Sequence, residues 1–110
     1  MDNSLNESAY ELLRRGEDLL QTRNPAQAAV VLDRARRAAP ERSSIRETLG
    51  RAYFASGRYD RAAAEFEAVL ELYPTSDYAH YCLSRCAEKL GDQRTARRHL
   101  RLAEAMGYKV

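Results

Sequence analysis

At 110 residues the chain has room for one domain and one modest core, which would bury roughly 65% of the surface that the unfolded chain exposes. Leucine and alanine supply most of the 45% hydrophobic content, aromatics only 8%, and 31% of residues are charged, a mixture that suits amphipathic helices and argues against a sheet. The formal charge of +2 excludes a strongly basic or acidic chain, and no stretch approaches the roughly 18 apolar residues of a membrane span, so a soluble cytoplasmic protein is expected.

In chain order, residues 1–8 form an N-terminal extension with neither the basic start nor the apolar run of a targeting signal. Either Ser4-x-x-Glu7 or Ser8-x-x-Glu11 opens the first helix as a capping box. Arg23-Asn24-Pro25 then divides residues 9–42 into two helices, with Asn24 as N-cap and Pro25 in a first helical position. Pro40 ends the second helix. In residues 43–76, Ser44-x-x-Glu47 reads as a capping box, Gly57-Arg58-Tyr59 as the break and Pro74 as the stop. In residues 77–110, Gly91-Asp92 divides the segment and Asp92 caps the helix that follows. The expectation is an all-α chain of six helices, each of about 12–15 residues.

The three segments have equal length, and they align without insertion at a period of 34. Gly16, Gly50 and Ser84 fall in one column of small residues, and Ala28, Ala62 and Ala96 in a second. Leu32, Phe66 and Leu100 make a column of large residues, followed by Ala35, Val69 and Ala103. An antiparallel helix pair needs this alternation, with small residues where the helices approach and large ones where they interlock. Leu49-Gly50-x-x-Tyr53, Ala62, Phe66 and Pro74 carry a resemblance to the tetratricopeptide repeat family. The first segment keeps Gly16, Ala28, Leu32, Ala35 and Pro40 but has Leu19 where the tyrosine usually lies. The third keeps Ser84, Ala87, Ala96, Leu100 and Ala103, with Tyr108 in the proline position. Leu12, Arg46 and His80 occupy the family's tryptophan position, a departure from its pattern.

The resemblance implies an α-solenoid, a right-handed superhelix of three repeats (9–42, 43–76 and 77–110) whose first helices line a concave groove. The groove face then falls on Tyr10, Leu13, Arg14, Glu17, Leu20 and Gln21 in the first repeat. It falls on Ser44, Glu47, Thr48, Arg51 and Ala55 in the second, and on Tyr78, Tyr81, Cys82, Arg85 and Lys89 in the third. Tyrosine and arginine are frequent interface anchors, so Tyr10, Leu13, Arg14, Glu17, Thr48, Arg51, Tyr78, Tyr81 and Arg85 are the candidate contacts. The competing reading is that the tyrosines only pad helix contacts. Chaperone-binding members hold a terminal carboxylate with lysine, asparagine and arginine, but the corresponding positions here are Leu13, Glu17, Thr48, Tyr78 and Cys82. That subtype is not expected.

Chemistry-bearing residues are sparse. There is no glycine-rich phosphate loop and no nucleophile or metalloprotease motif, and the two histidines, His80 and His99, fall on different helices, one at a packing position and one on the surface. Cys82 and Cys86, one helical turn apart, read as reduced small hydrophobes, since two thiols without a second pair make no zinc site. The expected function is therefore a non-catalytic, cofactor-free adaptor that holds a peptide or helix of another protein. Two alternatives stand beside it: a self-assembling scaffold using apolar surface near Leu102 and Met106, and RNA or anionic-surface binding by Arg94, Arg97, Arg98 and Arg101. The acids available to pair with this arginine stripe weigh against nucleic acid, and its replacement of Ala29 and Ala63 by Arg97 suits a polar end cap.

Overall fold

The computed structural model describes residues 8–109, which form six helices. They are α1 (Ala9–Gln21), α2 (Pro25–Ala38), α3 (Ser43–Ala55), α4 (Tyr59–Leu72), α5 (Asp77–Lys89) and α6 (Gln93–Ala105). Ala9, Ser43 and Asp77 begin the odd helices, and Pro25, Tyr59 and Gln93 the even ones, so both series repeat the 34-residue period. Helices pack on their chain neighbours, with a smaller contact between α1 and α3. The outcome is an all-α solenoid, 50 × 25 × 20 Å.

The columns explain the packing. Ala28 and Ala62 are fully buried and Ala96 nearly so, and each lets the two helices of its pair approach closely. Leu32 lies over Gly16, and Phe66 lies over Gly50, where a built Cβ would come 2.7 Å from the ring Cζ. In the third pair the small residue is Ser84, and its hydroxyl donates to the Ala96 carbonyl at 2.8 Å, which satisfies a buried polar group. Leu12, Leu32, Ile45, Leu49, Phe66 and Cys86 join the pairs into one continuous core.

The break within each pair also repeats. Arg23, Gly57 and Gly91 all adopt positive φ, at 62°, 82° and 82°. The next N–H then closes a six-residue C-terminal turn, from Asn24 to the Leu19 carbonyl, Arg58 to Tyr53 and Asp92 to Ala87. Nothing lies within 4 Å of a Cβ built on Gly57, so only the backbone would resist a side chain there. Gly57→Ala is therefore expected to destabilise the protein by about 1 kcal/mol, whereas Arg23→Gly should be neutral or mildly stabilising. Urea midpoints measure both, and an unchanged Gly57→Ala midpoint contradicts the assignment.

Of the capping expectations, those at Ser8 and Asp92 hold, the one at Ser44 does not, and Asn24 takes the position without a side-chain bond. Ser8 and Glu11 form the reciprocal box at the start of α1, with Glu11 N–H donating to Ser8 Oγ at 3.1 Å and Ser8 N–H to Glu11 Oε1 at 3.3 Å. The alternative Ser4/Glu7 box lies outside the described residues. Ser44-x-x-Glu47 is not a capping box: α3 begins at Ser43, two residues before a Ser44 cap would start it, Arg42 is its N-cap without a side-chain bond, and the Ser44 carbonyl accepts from Thr48 Oγ1 at 2.8 Å. Asn24 occupies the N-cap of α2, but its Nδ2 donates back to Thr22 and its side chain accepts nothing from the helix. Asp92 caps α6 by accepting from Thr95 N–H at 3.1 Å. Pro40 and Pro74 follow the last residues of α2 and α4 by two positions.

Candidate functional site

Alternate helices present one face to a common groove, because residues three and four apart on each helix lie above one another. On α1, Tyr10, Leu13, Arg14 and Glu17 line a hollow of about 760 Å³ that Arg51 of α3 closes on the far side. Arg14 lies over the Tyr10 ring, 5.9 Å from its centroid, and donates to the Tyr10 hydroxyl at 3.3 Å. Glu17 and Asp18 line the same hollow, so this end carries both charges.

A second hollow, of about 260 Å³, lies between α3 and α5. Phe54, Phe66, Tyr78, Tyr81 and Cys82 line it, and Arg51 and Arg85 contribute the cationic groups. Tyr78 packs edge-on against Phe66 with centroids 6.2 Å apart, so it serves both core and groove. Tyr81 stacks on Tyr108 at 4.4 Å. Its hydroxyl accepts from Arg85 at 3.2 Å, while Arg85 lies over the Phe54 ring at 5.7 Å and pairs with Glu88 at 3.3 Å. These contacts restrict rotamers that a partner would otherwise have to order.

Of the nine candidate contacts, eight border these two hollows and Arg51 borders both. Leu13 contributes a largely buried floor. Thr48 does neither, since it is buried and its hydroxyl is spent on the Ser44 carbonyl. Phe54 and Phe66 are apolar walls missing from the candidate set. Leu20, one period before Phe54, was placed on the groove, so the same column pointed to Phe54. Phe66 belonged to the packing column, and nothing in sequence separates a core ring from one whose edge reaches a groove.

Burial dominates the local electrostatics. It raises the Tyr78 hydroxyl above the ordinary range, with Cys82 adding to the effect. It pushes Cys82 up to about 11 and Cys86 up to about 12. Both thiols therefore remain protonated at neutral pH and lack the thiolate that reactivity requires. Burial also raises the Glu47 carboxyl, and the Arg51 charge opposes that rise. His99 departs from its expected surface position: it is half-buried, and its ring stacks on His80 across the α5–α6 contact. Among the described residues, no three histidine, cysteine or acidic side chains converge as metal ligands, and no helix is long and apolar enough to cross a membrane.

The fold has many relatives. The chain aligns at 24% identity with a mutant form of MamA, TM-score 0.85, covering 92% of this chain and 74% of that one. It aligns at 23% identity with YrrB, described as a TPR protein with an unusual peptide-binding site, TM-score 0.89, covering 92% and 52%. It aligns at 19% identity with a chain of the CopN-Scc3 complex, TM-score 0.85, covering 92% and 60%. In sequence, it is 32% identical over 90 residues to the TPR repeat-containing thioredoxin TTL4 of Arabidopsis thaliana, covering 82% of this chain but only 13% of that protein. The family profile described as Tetratricopeptide repeat matches residues 13–77 and again 47–107, and the chain belongs to the tetratricopeptide repeat family.

Proposed function

We propose that the chain is a non-catalytic protein-interaction module whose groove takes a segment of another protein, with one bulky apolar side chain seated between Arg51 and Arg85. The observation that carries this reading is the second hollow, where aromatic walls and two arginines converge on one concave site. An aromatic pocket supplies apolar burial, and the rim cations favour a segment with a carboxylate near the anchor. The peptide-binding description of the similar protein YrrB supports the general use of such a groove. Affinity near micromolar, about −8 kcal/mol, suits a site of this size.

The exposed row Arg94, Arg97, Arg98 and Arg101 on α6 supports a competing reading, attachment to RNA or another polyanion. Salt separates the two. Peptides selected from a random display library are expected to share a bulky apolar residue with a nearby acid, and to lose less than about tenfold in affinity between roughly 50 and 200 mM salt. A polyanion neutralised by several arginines would lose about a hundredfold or more over that interval. Selection of no apolar anchor, together with the steep salt response, would replace the groove reading with the second.

A further inference from the structure

The three helix pairs fill one equivalent position in three different ways. In the first pair the residues are Leu12 and Val31, both buried and apolar. One period later they are Arg46 and Glu65, ion-paired at 3.2 Å with Arg46 Nε donating to the Pro40 carbonyl at 3.0 Å. In the last pair they are His80 and His99, with Nδ1 atoms 3.0 Å apart and His80 Nε2 3.3 Å from the Pro74 carbonyl. The proline carbonyl can only accept, so neutral His80 carries its proton on Nε2 and offers Nδ1 as an acceptor. His99 then donates from Nδ1. The arrangement thus accommodates one proton between the rings and has no place for two.

We propose that the His80–His99 pair is a proton-sensitive latch that holds α6 on α5 at neutral pH and releases it in mild acid. A first added proton goes to His99 Nε2 and leaves the Nδ1–H···Nδ1 bond in place, but it puts a charge on a half-buried ring. A second must go to His80 Nδ1, and two N–H groups on two cations then face each other. The surroundings favour the neutral pair. Loss of solvent holds His99 below the ordinary histidine range, followed by the His80 and Arg98 charges. Glu67 and Glu71 of α4 line the shallow depression beside His99 and Arg98, but their attraction does not outweigh these effects. On α5 itself, Asp77 turns its carboxylate to the Tyr78 N–H at 2.7 Å.

The sign follows from linkage. Because the folded chain disfavours the proton on His99, the unfolded chain binds more protons below about pH 6.5, and stability falls as pH drops through that value toward the lower folded one. The loss concentrates on α6, which packs principally on α5 and has only Ala96 and Ala103 as buried residues.

The fold itself supplies the test variants. His80→Leu with His99→Val installs the apolar pair of the first repeat, and His80→Arg with His99→Glu installs the ion pair of the second. Hydrogen exchange of the full chain is compared at about pH 7.5 and about pH 5, as protection factors corrected for intrinsic rates. In the wild type, α6 protection is expected to fall several-fold relative to α1–α4 between the two pH values. At least one variant is expected to keep α6 protected at both pH values. An equal fall in every folded variant, or no fall in the wild type, overturns the latch. Nitrogen NMR of the wild-type histidines gives a readout that needs no variant. His80 as the Nε2–H tautomer, titrating together with α6 release, supports the proposal. Two rings titrating independently near about 6.5, with α6 still protected, refute it.

Discussion

Phe66→Ala is expected to lower the unfolding free energy by about 3–5 kcal/mol, the largest single-site loss predicted for this chain. Phe66 is 1% exposed, its ring fills the space over Gly50, and its edge supports Tyr78. Truncation removes apolar contact from two helix pairs at once, and a rigid backbone of buried alanines leaves little room to collapse. A second substitution sharpens the test. A Cβ on Gly50 would lie 2.7 Å from Phe66 Cζ, so Gly50→Ala alone must push the ring and should cost about 1 kcal/mol, even after the gain in helix propensity. In the Phe66→Ala background that obstacle is gone, and the same substitution should stabilise the helix by up to about 1 kcal/mol. Denaturant unfolding of the four proteins measures the cycle. Additive effects would mean that the glycine is not there for the ring.

The helices were legible in the sequence because each signal had a separate physical cause that repeated at one spacing. Pro25, Gly57 and Gly91 mark breaks through backbone restrictions, while Ala28, Ala62 and Ala96 mark close approach through volume. The caps were less legible. Ser44 has the residue type of a cap, but the N-cap of α3 is Arg42, and two residues of shift turn a cap into a helical position whose carbonyl accepts from Thr48. Thr48, four residues on from Ser44, is buried with its hydroxyl on the Ser44 carbonyl and does not reach the groove. The groove positions on α1 and α5 came from the family resemblance, and helical spacing only groups them on one face of each helix. Of the two aromatic walls, Phe54 shares a column with Leu20 and was within reach of the repeat, but Phe66 was not, because it comes from α4 and belongs to the packing column. Nor could the histidine pair be read from the chain, since 19 residues and a turn separate its members. The repeat offered one clue. Arg46 and Glu65, at the same separation, are complementary charges, and carrying that pair forward one period lands on His80 and His99.

The largest functional effect is expected at Tyr81 and Arg85. Both border the aromatic hollow, and each also holds the other through the Arg85 to Tyr81 hydrogen bond. Truncating an anchoring side chain at an interface centre typically costs about 2 kcal/mol or more, so each single alanine variant should weaken a groove peptide about 30-fold. Their effects should not add fully, because removing Tyr81 already releases Arg85 from its partner. Tyr78 is a poorer probe, since its ring packs on Phe66 and its loss would mix stability with binding. Tyr81→Ala does break the stack with Tyr108, so circular dichroism must show that helicity is retained before affinity is compared. Arg94→Ala with Arg98→Ala removes two charges from α6 and is expected to leave peptide affinity within about threefold, the range of weak long-range screening. Calorimetry on the four proteins decides between the faces. If Tyr81→Ala and Arg85→Ala stay folded and bind as the wild type does, while the α6 pair loses the ligand, the binding face is α6 and the groove is only the surface between three helices.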